Sequence, residues 1–248
     1  SGGMDLSECV LSGSTYVSQV DGVNHNFQDY TCSVDLGVVP SVSLDNSGAN
    51  APVLADGMIP IMWDGGKWVK ADATNTNTTY QWYDYNNKLW ANAVMLNPSQ
   101  RVIYMNADPG YAITESHVFA YYVWIPRYRY TLFNVGTSTV SSQLIEVTFE
   151  TADTQKSTGS TVGSQLTHPA FTWGTGDELQ ELDGIWVGKF ETTGTTSFPT
   201  IKPSISPLVE QTVSGLYNAN KVMDSTKYLT ATGVSQIDVH MMKNTEWN

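Results

Sequence analysis

The chain has 248 residues and carries 24 acidic against 12 basic side chains, a formal charge of −12. Phosphate backbones repel such a surface, and the densest basic stretch, Arg127 to Arg129, is interleaved with tyrosines as in a strand, so nucleic acid is excluded as a partner. Charged residues make up 15% and hydrophobic ones 41%. That leaves material for a core beneath a surface of Thr, Ser, Asn and Gly, the profile of secreted and particle-borne β proteins rather than cytosolic enzymes.

Residues 1–50 are polar, with short alternating pieces such as Thr15-Tyr16-Val17, and read as extended or weak-strand structure. The two cysteines, Cys9 and Cys32, either close an N-terminal disulfide loop, which fits an oxidising compartment, or stand as unrelated thiols. The opening Ser1-Gly2-Gly3 looks like a processed end, and Asn46-Ser47-Gly48-Ala49-Asn50 reads as a turn or linker. Residues 51–117 are expected to form an aromatic-rich β-hairpin module. Met58-Ile59-Pro60-Ile61-Met62-Trp63 and Lys67-Trp68-Val69-Lys70-Ala71 flank Asp64-Gly65-Gly66, whose glycines can take positive φ, a hairpin signal. Residues 83–91 repeat the pattern of an aromatic-Asp pair, a turn, Lys, Trp and Ala, and predict a second hairpin of the same sheet.

Residues 118–132 form the strongest β stretch, with Pro126 expected at an edge, a bulge or a break. Residues 144–150 alternate Ile145, Val147 and Phe149 against Glu146, Thr148 and Glu150, another strand, and 185–190 predict one more. Residues 151–167 are rich in Ser, Thr and Gly and are expected as a surface loop. Helix is expected only late. Leu208, Val209, Thr212, Val213, Leu216 and Tyr217 fall on one helical face, with Ser206 as cap and Pro207 at the first helical position. A second helix is expected from near Ser235 through Met241, Met242 and Trp247, where the chain looks cut short. No apolar run approaches the roughly 20 residues that span a bilayer.

Val123-Trp124-Ile125-Pro126-Arg127-Tyr128-Arg129-Tyr130, Gly184-Ile185-Trp186-Val187-Gly188-Lys189-Phe190-Glu191 and Thr245-Glu246-Trp247, in that order, resemble motifs of the formylglycine-generating-enzyme-like branch of C-type-lectin folds. The combination, ending in Met241-Met242-Lys243-Asn244-Thr245-Glu246-Trp247, is also similar to fibre- or adhesin-like surface proteins of phages and gut bacteria. The resemblance covers residues 118–248 and implies a partial C-type-lectin-like domain, incomplete at its C-terminus and lacking most of the expected binding face. The enzyme's cysteines have no counterpart there, since Cys9 and Cys32 precede the region. The expected fold class is therefore mainly β (α+β), with one or two late helices.

Chemistry-bearing patterns are sparse. His25, His117, His168 and His240 show no metal-ligand spacing, no Gly-x-Ser-x-Gly elbow accompanies a Ser/His/Asp set, and phosphate and dinucleotide fingerprints are missing. His168 reads as a loop residue. Asp177, Glu178, Glu181 and Asp183 form an acidic cluster, either a solvated loop or a calcium site; no other cofactor is implied. Trp63, Trp68, Trp82, Tyr85 and Trp90 either pack a β core or present a flat platform for sugar rings. Neighbours such as Trp82 and Tyr83 must face opposite ways on a strand, so only some are available. These features lead to an extracellular, cell-surface or virion recognition protein, not an enzyme, with a glycan or host-surface protein as partner. The alternatives are a stalk or filament subunit that forms homo-oligomers through aromatic surfaces, and, third, a glycan hydrolase.

Overall fold

The computed structural model describes residues 15–17, 24–26, 43–131, 145–152, 165–173, 180–223 and 238–247. The expected pair Cys9 and Cys32 lies outside them, as do Asp177, Glu178 and residues 235–237. The chain divides into two units, residues 1–42 and 43–248. In the first, β1 (Thr15–Val17) and β2 (Asn24–Asn26) pair antiparallel.

The second unit is mainly β, as the sequence predicts, and is built on a seven-stranded sheet. β3 (Met58–Trp63) and β4 (Trp68–Lys70) form the predicted hairpin, with Trp63 opposite Trp68. The Asp64 carboxylate closes the turn by accepting the amides of Gly66 at 2.9 Å and Lys67 at 2.8 Å, and Gly65 takes a φ of 102°. β5 (Asn92–Leu96) pairs antiparallel with β3 on one side and with β6 (Val118–Pro126) on the other. Segments 51–117 and 118–248, expected as separate modules, therefore share one sheet.

The expected second hairpin is a different structure. Asp84 pairs with Leu89 alone, and Tyr85–Asn87 is a 3-10 turn capped by the Asp84 side chain, with Lys88 left-handed at a φ of 60°. Short Asn and Asp side chains bonding to their own backbone favour such a turn over extended strands.

One helix was not anticipated. α1 (Pro98–Asn106) joins β5 to β6, with proline in its first turn. Past it, β6 ends at Pro126 and β7 (Tyr128–Thr131) begins after Arg127, so Pro126 sits at a break. β7 is central to a small sheet between β8 (Val147–Phe149) and β9 (Gln165–Thr167). β9 falls in the segment expected as loop: its Leu166 is buried and its ladder to Arg129–Thr131 supplies the pairing that polar composition hid. β10 (Thr172–Trp173) pairs with β11 (Gln180–Glu181), and β12 (Gly184–Gly188) pairs along β6, Trp186 opposite Trp124. β13 (Thr192–Thr195) and β14 (Phe198–Ile201) form a hairpin docked on β6 through Ile201 and Ala120.

The late helix starts further on than its apolar stripe suggests. α2 spans Val213–Val222, and Thr212 caps it by accepting the Gly215 amide at 3.0 Å. Ahead of it, Pro207 bridges Thr193, the Leu208 amide donates to the Thr192 carbonyl, and Glu210 takes a φ of 57°. Tertiary pairing thus overrides the helical period. α3 (Asn244–Trp247) is only four residues, and 238–243 are not helical.

Alternation sends the large side chains of the main sheet to two faces. Ile59, Ile61, Val94, Leu96, Val118 and Tyr121 pack beneath Tyr104 of α1. Met58, Ala93, Met95 and Tyr122 face the other way, against Ile201 and Met223, next to a cluster of Trp82, Tyr83, Tyr85 and Trp124. Each fully buried aromatic contributes about 2–3 kcal/mol relative to an exposed one.

Candidate functional site

The structure separates the five aromatics proposed as a platform. Trp82 is only 2% exposed; its indole N–H donates to the Asn92 carbonyl at 2.7 Å, and its ring stacks on Trp186. Tyr85 is also buried and donates its hydroxyl to the Trp124 carbonyl at 3.1 Å. Burial pushes that hydroxyl's pKa well above the usual tyrosine range. These two are core residues, and neither offers a face to a sugar.

Trp63 and Trp90 remain in solvent, 52% and 43% exposed. Trp63 extends the parity of Ile59 and Ile61. Its ring meets Trp68 nearly edge-on, at 5.4 Å and 72°, and Trp68 in turn leans on Tyr121 at 6.1 Å. The Trp63–Trp68 contact follows directly from their cross-strand register. Trp90 packs instead on Tyr85, and no ring contact among the described residues joins it to the pair.

The sequence reading missed Lys189. Just past β12, its amide donates to the Tyr121 carbonyl at 2.9 Å, which brings its side chain to the Trp68 face. Its Nζ donates to Asn92 Oδ1 at 2.7 Å and stands 5.6 Å from the centroid of Trp68. Asn92 is oriented by donating its own amide to the Trp90 carbonyl at 2.8 Å. Burial pushes the Lys189 pKa below its ordinary value. Nearby, the Tyr121 hydroxyl donates to Glu115, which also pairs with Lys202 at 3.2 Å. A cleft of about 390 Å³ is lined by Lys189, Phe190, Glu191, Lys202 and Ser204.

Other ionisable groups are engaged structurally. His117 Nδ1 lies 2.8 Å from the Tyr104 hydroxyl, and His240 sits between Asp238 and Glu246. His168 lies in the connection between β9 and a 3-10 turn, as expected of a loop residue, and is buried there among Tyr128, Tyr130 and Phe171, accepting the Ala170 amide at 3.2 Å as the turn's cap. Glu181 of the acidic cluster pairs with Arg127 at 2.6 Å. Among the described residues no three His, Cys, Asp or Glu side chains form a metal-binding group, and no helix is long and apolar enough to cross a membrane.

The Trp63–Trp68 pair, with an ammonium and an amide at its side, can stack an apolar ring face and donate hydrogen bonds at its rim. Compared with protein-family models, curated proteins and solved structures, the chain has no match.

Proposed function

We propose that this chain is a non-catalytic recognition protein of a cell surface or virion, and that it binds a glycan at the Trp63–Trp68 pair. The observation that carries the reading is a half-exposed indole, Trp63, braced edge-on by a second one directly across the β3–β4 hairpin. A rigid aromatic face on a sheet is suited to the apolar face of a sugar, and it loses little conformational freedom on binding. The likeness to C-type-lectin-like adhesins belongs to the same proposal. It is supported by the hydrogen-bonded pairing of the strands bearing Val123-Trp124-Ile125-Pro126 and Gly184-Ile185-Trp186-Val187-Gly188. Glycan-array binding of the wild-type chain and of Trp63→Ala tests it. Retention of every glycan signal by the variant would remove Trp63 from the site and the reading with it.

A second reading, self-association as a stalk or filament subunit, is favoured by α1, where Val102, Ile103 and Met105 are all largely exposed. Sedimentation across a hundredfold concentration range separates the two: a monomer throughout leaves the recognition reading alone.

A further inference from the structure

We propose that the Trp63–Trp68 site selects saccharides that carry a carboxylate, and that Lys189 is the residue that reads the charge. The inference rests on the glycan reading above and names the class of glycan.

The first argument is the state of the lysine. Among the described residues Lys189 makes no ion pair, whereas Lys67, Lys202 and Lys243 each face a carboxylate within 4 Å. Acidic side chains outnumber basic ones two to one, 24 against 12, so a half-buried ammonium without a carboxylate is unexpected. Desolvation costs the cation, and nothing charged offsets it. An incoming carboxylate supplies the missing partner.

The second argument is position. Lys189 is held by Asn92 Oδ1, and Asn92 is held by the Trp90 carbonyl, so the amine is set by two successive hydrogen bonds. An ammonium has three donors. Asn92 takes one, and two remain for a ligand. Nζ lies over the Trp68 ring, 5.6 Å from its centroid, and Trp68 meets the exposed Trp63 at 5.4 Å, so the amine stands one ring away from a sugar stacked on Trp63 and faces an exocyclic carboxylate directed toward Trp68. Lys189 also lines a cleft with Phe190, Glu191 and Lys202.

The third argument is the surrounding field. With a formal charge of −12 the protein repels anions at long range. A local cation that accepts an acidic sugar therefore acts through contact, giving selectivity rather than fast capture.

The experiment is a glycan array carrying uronate-containing, sialate-containing and neutral glycans, probed with wild type, Lys189→Gln, Lys189→Arg and Trp63→Ala, each checked for an unchanged melting profile. The wild type is expected to bind acidic glycans at least tenfold more tightly than their neutral or methyl-esterified counterparts. Lys189→Gln collapses that ratio to about one, and Lys189→Arg preserves it. The uronate and sialate arms show which acidic sugar is bound. Equal binding of acidic and neutral glycans by the wild type, or a ratio unchanged in Lys189→Gln, overturns the role of Lys189 while leaving the glycan reading intact. Absence of binding to every glycan overturns both.

Discussion

Arg127 Nε donates to Glu150 Oε1 at 3.0 Å, with 0% and 2% of the two side chains exposed. Arg127 sits at the break between β6 and β7, and its Nη1 also reaches Glu181 at 2.6 Å and the Phe171 carbonyl at 3.2 Å. One guanidinium thus ties the small β7 sheet, the turn after β9 and β11 to the end of the main sheet. Removing it strips the hydrogen-bonded cation from buried Glu150 and leaves only the partly exposed Arg129, whose Nε stands 3.3 Å from Oε2. Arg127→Met is expected to lower unfolding free energy by about 3–5 kcal/mol in urea titration. A loss below about 1 kcal/mol would show that water replaces the guanidinium there.

Asp72 links a loop to pH. Its carboxylate accepts the amides of Thr74, Thr76 and Asn77 at 3.0, 2.8 and 2.9 Å, and both threonine hydroxyls. Burial pushes its pKa up, but these bonds, led by the Thr76 amide, outweigh it and bring the value down from 3.8 to about 2. The folded value lies below the unfolded one, so the stabilisation is full above about pH 4 and is lost as pH falls toward 2. Asp72→Asn should melt at a lower temperature than wild type at pH 7, with the gap closing through that window. Parallel melting curves down to pH 2 would assign the loop's stability to something other than this carboxylate. The loop matters because it presents Asn75, at a φ of 55°, whose Oδ1 accepts the amides of Trp82 and Tyr83 and so fixes both in the core.

Local signals carried the fold where the chemistry is local. Asp64-Gly65-Gly66 closes its hairpin through three adjacent residues, and the aromatic run of β6 is unambiguous over nine. α1 was illegible because its exposed Val102, Ile103 and Met105 break the amphipathic stripe, and its end is held by Lys70 from another element. The start of α2 was misplaced because Leu208 pairs with Thr192, a contact no helical wheel contains. The candidate site shows the same division. Its tryptophans were visible as a cluster, but burial of Trp82 and Tyr85 depends on Asn92 and Trp124, which lie 10 and 39 residues away. Lys189 gave no signal at all, since its partner Asn92 is 97 residues distant.

Lys70 completes α1 from outside. Its Nζ donates to the carbonyls of Tyr104, Met105 and Ala107 at 2.8, 2.9 and 2.6 Å, so all three ammonium donors meet the helix C-terminal end. A cation there also complements the helix dipole. Lys70→Met keeps the stem and deletes the donors. Its expected cost is about 1–2 kcal/mol, with faster amide exchange concentrated in residues 98–106. Unchanged exchange in α1 would mean that the helix end is satisfied by solvent alone.

Two glycines at the ends of β12 make opposite demands on their surroundings. A Cβ at Gly184 would lie 2.4 Å from Trp124 Cζ2 and 2.6 Å from the Ile125 carbonyl oxygen, and that backbone cannot move without opening the β6–β12 ladder. Trp124 has nowhere to go either: it packs on Trp186 at 5.2 Å and donates its indole N–H to the Asn50 carbonyl at 3.1 Å. At Gly188 the nearest atom is Ile201 Cδ1 at 3.2 Å, the tip of a side chain that can rotate aside. Gly184→Ala is therefore expected to cost about 1–3 kcal/mol and to shift tryptophan fluorescence as Trp124 is displaced, while Gly188→Ala costs less than 1 kcal/mol and leaves the spectrum unchanged. Equal costs at the two positions would mean that the strand pair relaxes as a unit, and that the register of Trp124 against Trp186 is not fixed by the glycine beneath it.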